Sequence, residues 1–155
     1  KIPSLAECKE MVKRYWQRAP NAAEWRDYTI EVTRDRGYSE TLYGRRRYLP
    51  GIRSSNQEIR SGAERQAINH VIQGTAADII KMAALMIYDE AVALKNGADL
   101  RAQIHDELMG KAPEKLEDQL KWLVTVRRCM ELDQPLLPVP LKVEPRLVRN
   151  WKEAK

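Results

Sequence analysis

The 155-residue sequence predicts an α+β fold in which several helices pack on a small antiparallel sheet. Apolar residues recur at helical spacing over long stretches, and short alternating runs bounded by Gly or Pro interrupt them. The chain also lacks internal repeats and long low-complexity segments.

Taken in order, Ser4-Leu5-Ala6-Glu7 forms a capping-box pattern after Pro3 and opens a helix to about Arg18. Pro20-Asn21 breaks it, and a second helix is predicted from Ala22 to Arg36, stopped by Gly37. Tyr38 to Tyr43 alternates like a short strand; Gly44 turns it, with Arg45 to Leu49 as partner or loop before Pro50-Gly51. Ser55-Asn56-Gln57-Glu58 resembles a second capping box, opening a helix from Gln57 to Ile72 with Ile59, Ala63, Ala67 and Val71 on one face.

Gly74 is expected to interrupt that helix, with Thr75 and Asp78 capping a new one to about Lys95. Ile79, Met82, Ala83, Met86, Ile87 and Leu94 mark this as the core helix, its methionines packing groups. Asn96-Gly97 ends it. Leu100 to Ile104 and Leu108 to Lys111 read as a hairpin, Pro113 as the start of a helix to Glu131, and Leu141-Lys142-Val143-Glu144 as a closing strand after the Pro-rich segment 134–140.

Composition narrows the function classes. Hydrophobic residues at 43% and charged residues at 32% fit a soluble globular domain. No apolar run approaches the roughly 20 residues of a spanning helix, so no membrane partner is expected. Cys8 and Cys129 lack metal-ligand spacing, which points away from disulfide or zinc chemistry and towards a reducing compartment. The first residue is Lys1, which fits either a processed chain or a piece of a longer one. The net charge is +5, and residues 34–65 alone hold eight Arg against four acids. Arg suits planar, bidentate recognition of phosphate, so a nucleic acid heads the candidate partners, with a solvated basic surface as the plainer account.

Three constellations could carry chemistry. His105-Asp106-Glu107 falls at the hairpin tip, where a carboxylate is rigidly presented. Mg²⁺ is held by one or two protein carboxylates with waters and substrate phosphates, so Asp106, helped by Glu107, fits half of such a site. Read alone, the tripeptide is more simply an acidic turn beside a surface histidine. Arg65, Asn69 and Gln73 drift only about 40° per step along one helix and form a stripe of hydrogen-bond donors. Every base pair shows an acceptor in the minor groove, so such a stripe could sense pair geometry without reading sequence. A solvent-facing polar stripe is the alternative. Gly44-Arg45-Arg46-Arg47 suits phosphate contacts.

In this order the segments resemble the bacterial and phage family A DNA polymerases. Gly37-Tyr38-Ser39-Glu40-Thr41-Leu42-Tyr43-Gly44-Arg45-Arg46-Arg47-Tyr48-Leu49-Pro50 is similar to the family's GRRR segment, and Glu64-Arg65 through Asn69 to Gln73-Gly74-Thr75-Ala76-Ala77-Asp78 to its QGTAAD helix. Ile104-His105-Asp106-Glu107-Leu108 resembles motif C, and Val139 to Glu144 with Asn150-Trp151 the closing strand and tail. The resemblance implies the C-terminal palm and fingers portion of a right-hand polymerase: residues 1–72 as fingers-derived helices with the arginine-rich hairpin, residues 73–155 as palm. It implies Asp106 as a ligand of catalytic Mg²⁺, Glu107 beside it, and His105 against the primer terminus. Arg65, Asn69, Gln73 and the hairpin arginines would contact primer–template DNA. The implied reaction is attack of a primer 3′-hydroxyl on the α-phosphate of a dNTP, with two Mg²⁺ ions stabilising the attacking and leaving oxygens.

Asp27-Tyr28-Thr29-Ile30-Glu31 superficially resembles the family's motif A, which carries its other catalytic aspartate, but sits in a helical pattern with one residue missing from the spacing. Motif A and the nucleotide-binding fingers helix therefore have no counterpart here, and Glu144-Pro145-Arg146 replaces a glycine-containing tail. One carboxylate cannot hold two metals, so the expected partners include the N-terminal remainder, in cis or as a separate chain, and the isolated chain is expected to be inactive. The alternative is a non-catalytic duplex-binding module derived from a polymerase. A cytoplasmic, nucleoid-associated or phage-encoded setting is expected, with an organellar one left open.

Overall fold

The computed structural model describes residues 3–131, 136–137 and 139–154, arranged as two compact units, Lys1–Thr75 and Ala76–Lys155. In the first unit, α1 (Leu5–Arg18) is closed by the reciprocal bonds of its capping box: Glu7 N–H donates to Ser4 Oγ and Ser4 N–H to Glu7 Oε2. Helix α2 (Pro20–Arg36) starts two residues before the predicted Ala22. Proline is suited to the first turn, where its missing N–H would have had no partner. Gly37 ends α2 at φ 79°, the left-handed stop its sequence predicts.

Strands β1 (Tyr38–Glu40) and β2 (Arg46–Tyr48) pair antiparallel, with Tyr38 opposite Tyr48 and Glu40 opposite Arg46. After a 3-10 turn at Pro50–Arg53 comes α3 (Gln57–Asn69), capped by Asn56 rather than Ser55. The Asn56 side chain accepts from the N–H groups of Glu58 and Ile59. The predicted capping box is thus replaced by an Asn cap one residue later. Leu49, Ile52, Ala63 and Ala67 form the small core of this unit.

The predicted break at Gly74 does not occur. His70–Gly74 instead forms a π turn, and α4 (Thr75–Leu94) follows directly. Gly74 serves close approach: a Cβ there would lie 2.7 Å from Thr41 Cγ2 and 2.9 Å from His70 Nδ1. Thr75 is not a cap either, because its hydroxyl donates to Val71 O and accepts from Leu42 N–H.

In the second unit, Ile80, Ala83, Ile87 and Ala91 give α4 one buried face. Ile87 and Ala91 pack with Trp122 and Cys129, and Leu100 and Leu108 lean on this core from the hairpin. Strands β3 (Asp99–Ile104) and β4 (Glu107–Lys111) pair antiparallel down to Ile104 opposite Glu107. The fold class is therefore α+β, with its antiparallel pairing divided between two separate two-stranded ribbons. Helix α5 (Leu116–Met130) begins three residues after the predicted Pro113, whose carbonyl instead accepts from Gln119 Nε2.

The predicted strand Leu141–Glu144 is irregular, since no described segment pairs with it, and Val143 N–H bonds the Glu131 carboxylate at 2.8 Å. Part of the Pro-rich segment 134–140 lies outside the described residues. Both cysteines are free, and burial pushes the Cys129 thiol up from its ordinary pKa.

One expectation from composition is corrected. Gln57–Leu94 contains the one stretch, among the described residues, long and apolar enough to cross a bilayer by length and composition, with a mean hydropathy of 1.3. It is not an unbroken apolar run, because Asp78 and Lys81 interrupt it while Ile, Leu, Met and Ala keep the mean high. The buried face of α4 is that of a core helix.

Candidate nucleic-acid interface and metal site

The candidate residues fall into two groups, one in each unit. In the first unit Arg65, Asn69 and Gln73 are all exposed along α3 and the π turn. A plain α-helix would carry Gln73 about 80° round from Arg65. A turn closed by i→i+5 bonds advances only roughly 80° per residue instead of 100°, so four such steps swing Gln73 back towards the azimuth of Arg65. By ideal geometry the π turn makes the stripe straighter than its spacing predicts, and no sequence signal other than Gly74 marks the turn.

The three hairpin arginines share a turn but not a role. Arg45 sends its guanidinium to Gly74 O at 2.8 Å, while its own carbonyl lies 3.2 Å from His70 Nε2. Arg46 pairs with Glu40 at 2.7 Å and lies 4.7 Å from the centroid of the Tyr38 ring. That bond to Glu40 holds its guanidinium even further above its ordinary pKa. Arg47 donates to Gln66 Oε1 at 3.1 Å. Elsewhere in the basic stretch, Arg34 pairs with Glu64, and Arg53 donates to the carbonyls of Arg34 and Asp35 at the end of α2. Reading the arginines as one phosphate-binding run did not anticipate this division of partners. His70, buried beside them, was not singled out from the sequence at all; a histidine within a helix two residues after the apolar Ile68 carries no distinctive signal.

In the second unit, His105 and Asp106 are the whole of a two-residue hairpin loop, and Glu107 is the first residue of β4. All three side chains are exposed. His105 has φ 55°, the left-handed value that such tight hairpins require and that glycine usually supplies. Its carbonyl accepts from Gln103 Nε2 at 3.0 Å, which braces the strained residue from β3. An open trough of about 1490 Å³ runs beside the hairpin, lined by Asp106 and Glu107 together with Lys142, Glu144, Arg146 and Arg149.

Among the described residues, no three His, Cys, Asp or Glu side chains gather into a metal-holding group. Asp106 and Glu107 offer hard oxygen donors at an accessible tip, which suits Mg²⁺ completed by waters and phosphates rather than a closed protein cage. Asp27, in the segment that resembles motif A only superficially, lies within α2 and pairs with Arg26.

Comparison with known proteins gives a consistent result. The family model for DNA polymerase family A matches residues 2–153. DNA polymerase I, thermostable, of Thermus filiformis is 43% identical over 149 residues, which cover 96% of this chain and 17% of that protein. DNA polymerase I of Caldicellulosiruptor bescii is 39% identical over 152 residues, covering 98% of this chain and 18% of its own length. Among solved structures, the POL domain of Pol1 from M. smegmatis, in complex with DNA primer-template and dNTP, matches with a TM-score of 0.80 and 35% identity over 90% of this chain and 24% of that one.

Proposed function

The chain belongs to DNA polymerase family A, and from that premise we propose that it supplies the C-terminal part of a polymerase active site. Residues 1–72 serve as fingers-derived helices with the arginine hairpin, and residues 73–155 as the palm portion. The observation that carries the proposal is the two-residue turn that exposes Asp106 beside Glu107 on a paired, register-fixed hairpin. Asp106 holds Mg²⁺, with Glu107 beside it and His105 against the primer terminus. Bound Mg²⁺ supplies charge stabilisation for the attacking and leaving oxygens. Arg65, Asn69 and Gln73 grip the primer–template near its growing end through minor-groove acceptors. Arg45, Arg46 and Arg47 add positive potential along the backbone.

In the reaction the primer 3′-oxygen bonds to the dNTP α-phosphorus as the bond to pyrophosphate breaks, and the hydroxyl proton passes to solvent water. The chain spans 17% of the first relative's length, and a single aspartate cannot hold two metals, so the remainder of a polymerase must complete the site. The isolated chain is inactive on this view.

The test joins the chain to the upstream part of a family A polymerase and measures Mg²⁺-dependent primer extension. Extension should appear on joining and fall by about a hundredfold to a thousandfold in Asp106→Ala, the order of loss when a group stabilising the transition state is removed. Full extension by that variant would remove Asp106 from the metal site. Salt-sensitive duplex binding that needs no Mg²⁺, with no upstream segment able to restore synthesis, would instead favour a non-catalytic DNA-binding module.

A further inference from the structure

His70 is only 6% exposed and stands at the start of the π turn. Its Nε2 lies 3.2 Å from the Arg45 carbonyl, and because a carbonyl only accepts, Nε2 carries the proton. The same ring closes against Gly74, where a Cβ would come within 2.9 Å of Nδ1. Arg45 answers from the other side by donating to Gly74 O at 2.8 Å. Thr75 adds a third tie, accepting from Leu42 N–H at 3.1 Å while donating to Val71 O. The hairpin tip and the π turn are thus joined in both directions.

A π turn is rarer than α-helix and needs support from its surroundings, and such turns concentrate at functional sites. Here the support comes from the arginine hairpin, and the turn contains Gln73, the last donor of the stripe. We propose that His70 is a positioning residue for primer–template recognition: its ring fills the π turn and pins it to the Arg45 carbonyl, keeping Gln73 in line with Arg65 and Asn69. This rests on the reading of that stripe as a minor-groove contact. Loosening the turn should cost discrimination more than basic synthesis, because a misaligned donor can no longer tell a correct pair from a mispair.

Two measurements test this, one independent of catalysis. Hydrogen exchange at the Leu42 amide, which bonds Thr75 Oγ1, reports whether hairpin and turn stay joined. His70→Leu, with similar bulk and no donor, should speed it by about tenfold; His70→Gln, whose amide can reach the carbonyl, should restore protection. In the joined polymerase, the ratio of kcat/KM for matched over mismatched primer ends should fall about tenfold in His70→Leu and recover in His70→Gln. Should His70→Leu fail to fold, His70→Asn, too short to reach the carbonyl, is expected to behave in the same way. Unchanged exchange, or a faster exchange with unaltered discrimination, overturns the proposal. If the wild-type assembly extends no primer while the exchange pattern holds, it is the polymerase reading that fails and the lock that stands as structure alone.

Discussion

His105 occupies backbone territory that costs a side chain about 1–3 kcal/mol, and it does so at the tip that presents Asp106. Histidine tolerates a positive φ better than β-branched residues do, yet glycine would sit there without strain. His105→Gly should therefore stabilise the chain, by about 1 kcal/mol or less once the greater freedom of an unfolded glycine is counted. His105→Val should destabilise it by about 1–3 kcal/mol. Urea unfolding midpoints check both directions. Primer extension by the joined polymerase should fall in both, since both remove the imidazole. A glycine variant with raised stability and intact extension would show that the imidazole is dispensable there. The hairpin arginines show the same dependence on individual surroundings: Arg46 meets a carboxylate, whereas Arg47 meets the amide oxygen of Gln66.

At the scale of elements, one contact ties the C-terminal tail to α5. The Glu131 carboxylate accepts from Val143 N–H at 2.8 Å and pairs with Arg127 at 3.0 Å. The Val143 bond first, then Arg127 and Lys142, hold Glu131 below the usual carboxylate pKa of 4.5. A depressed folded-state pKa adds stability that is present above the unfolded value and is lost as pH falls through the folded one. The tail should therefore keep its protection at neutral pH and release as pH drops below about 4.5. Hydrogen exchange at Val143 across that range, with Glu131→Gln as an acid-insensitive reference, measures it. A Val143 amide equally protected at pH 3 would show that other contacts hold the tail.

The elements legible in the sequence are those whose causes are local. The β3–β4 hairpin was predicted within one residue at each outer end because a turn and two alternating runs lie side by side. The Gly37 stop and the Ser4 cap are likewise written in consecutive residues. The π turn was not legible, because its support comes from Thr41 and Arg45, some thirty residues earlier. Leu141–Glu144 alternates like a strand, but a strand also needs a neighbour, and alternation cannot supply one. Of the candidate site, the exposed turn and donor stripe were readable; the histidine behind the stripe was not.

Across the molecule, the distribution of charge decides what the net value of +5 can do. Of the eight arginines in residues 34–65, Arg34 and Arg46 face carboxylates. Arg47, Arg53 and Arg60 are oriented by carbonyl or amide oxygens, which order a guanidinium without cancelling its charge. The first unit therefore keeps a fixed positive surface rather than a set of neutral pairs. Such a surface binds duplex DNA largely by releasing counterions, so log K should fall linearly with log salt, by about 0.9 for each phosphate contacted. Arg47→Ala should flatten that slope by about one unit. Arg53→Gln is the contrasting case: its guanidinium is engaged with the carbonyls that end α2, so stability should fall while the slope holds. Fluorescence anisotropy of a labelled duplex from 50 to 300 mM salt, beside urea unfolding of each variant, separates the two behaviours. A slope that ignores Arg47 would mean that the duplex meets some other face of the chain.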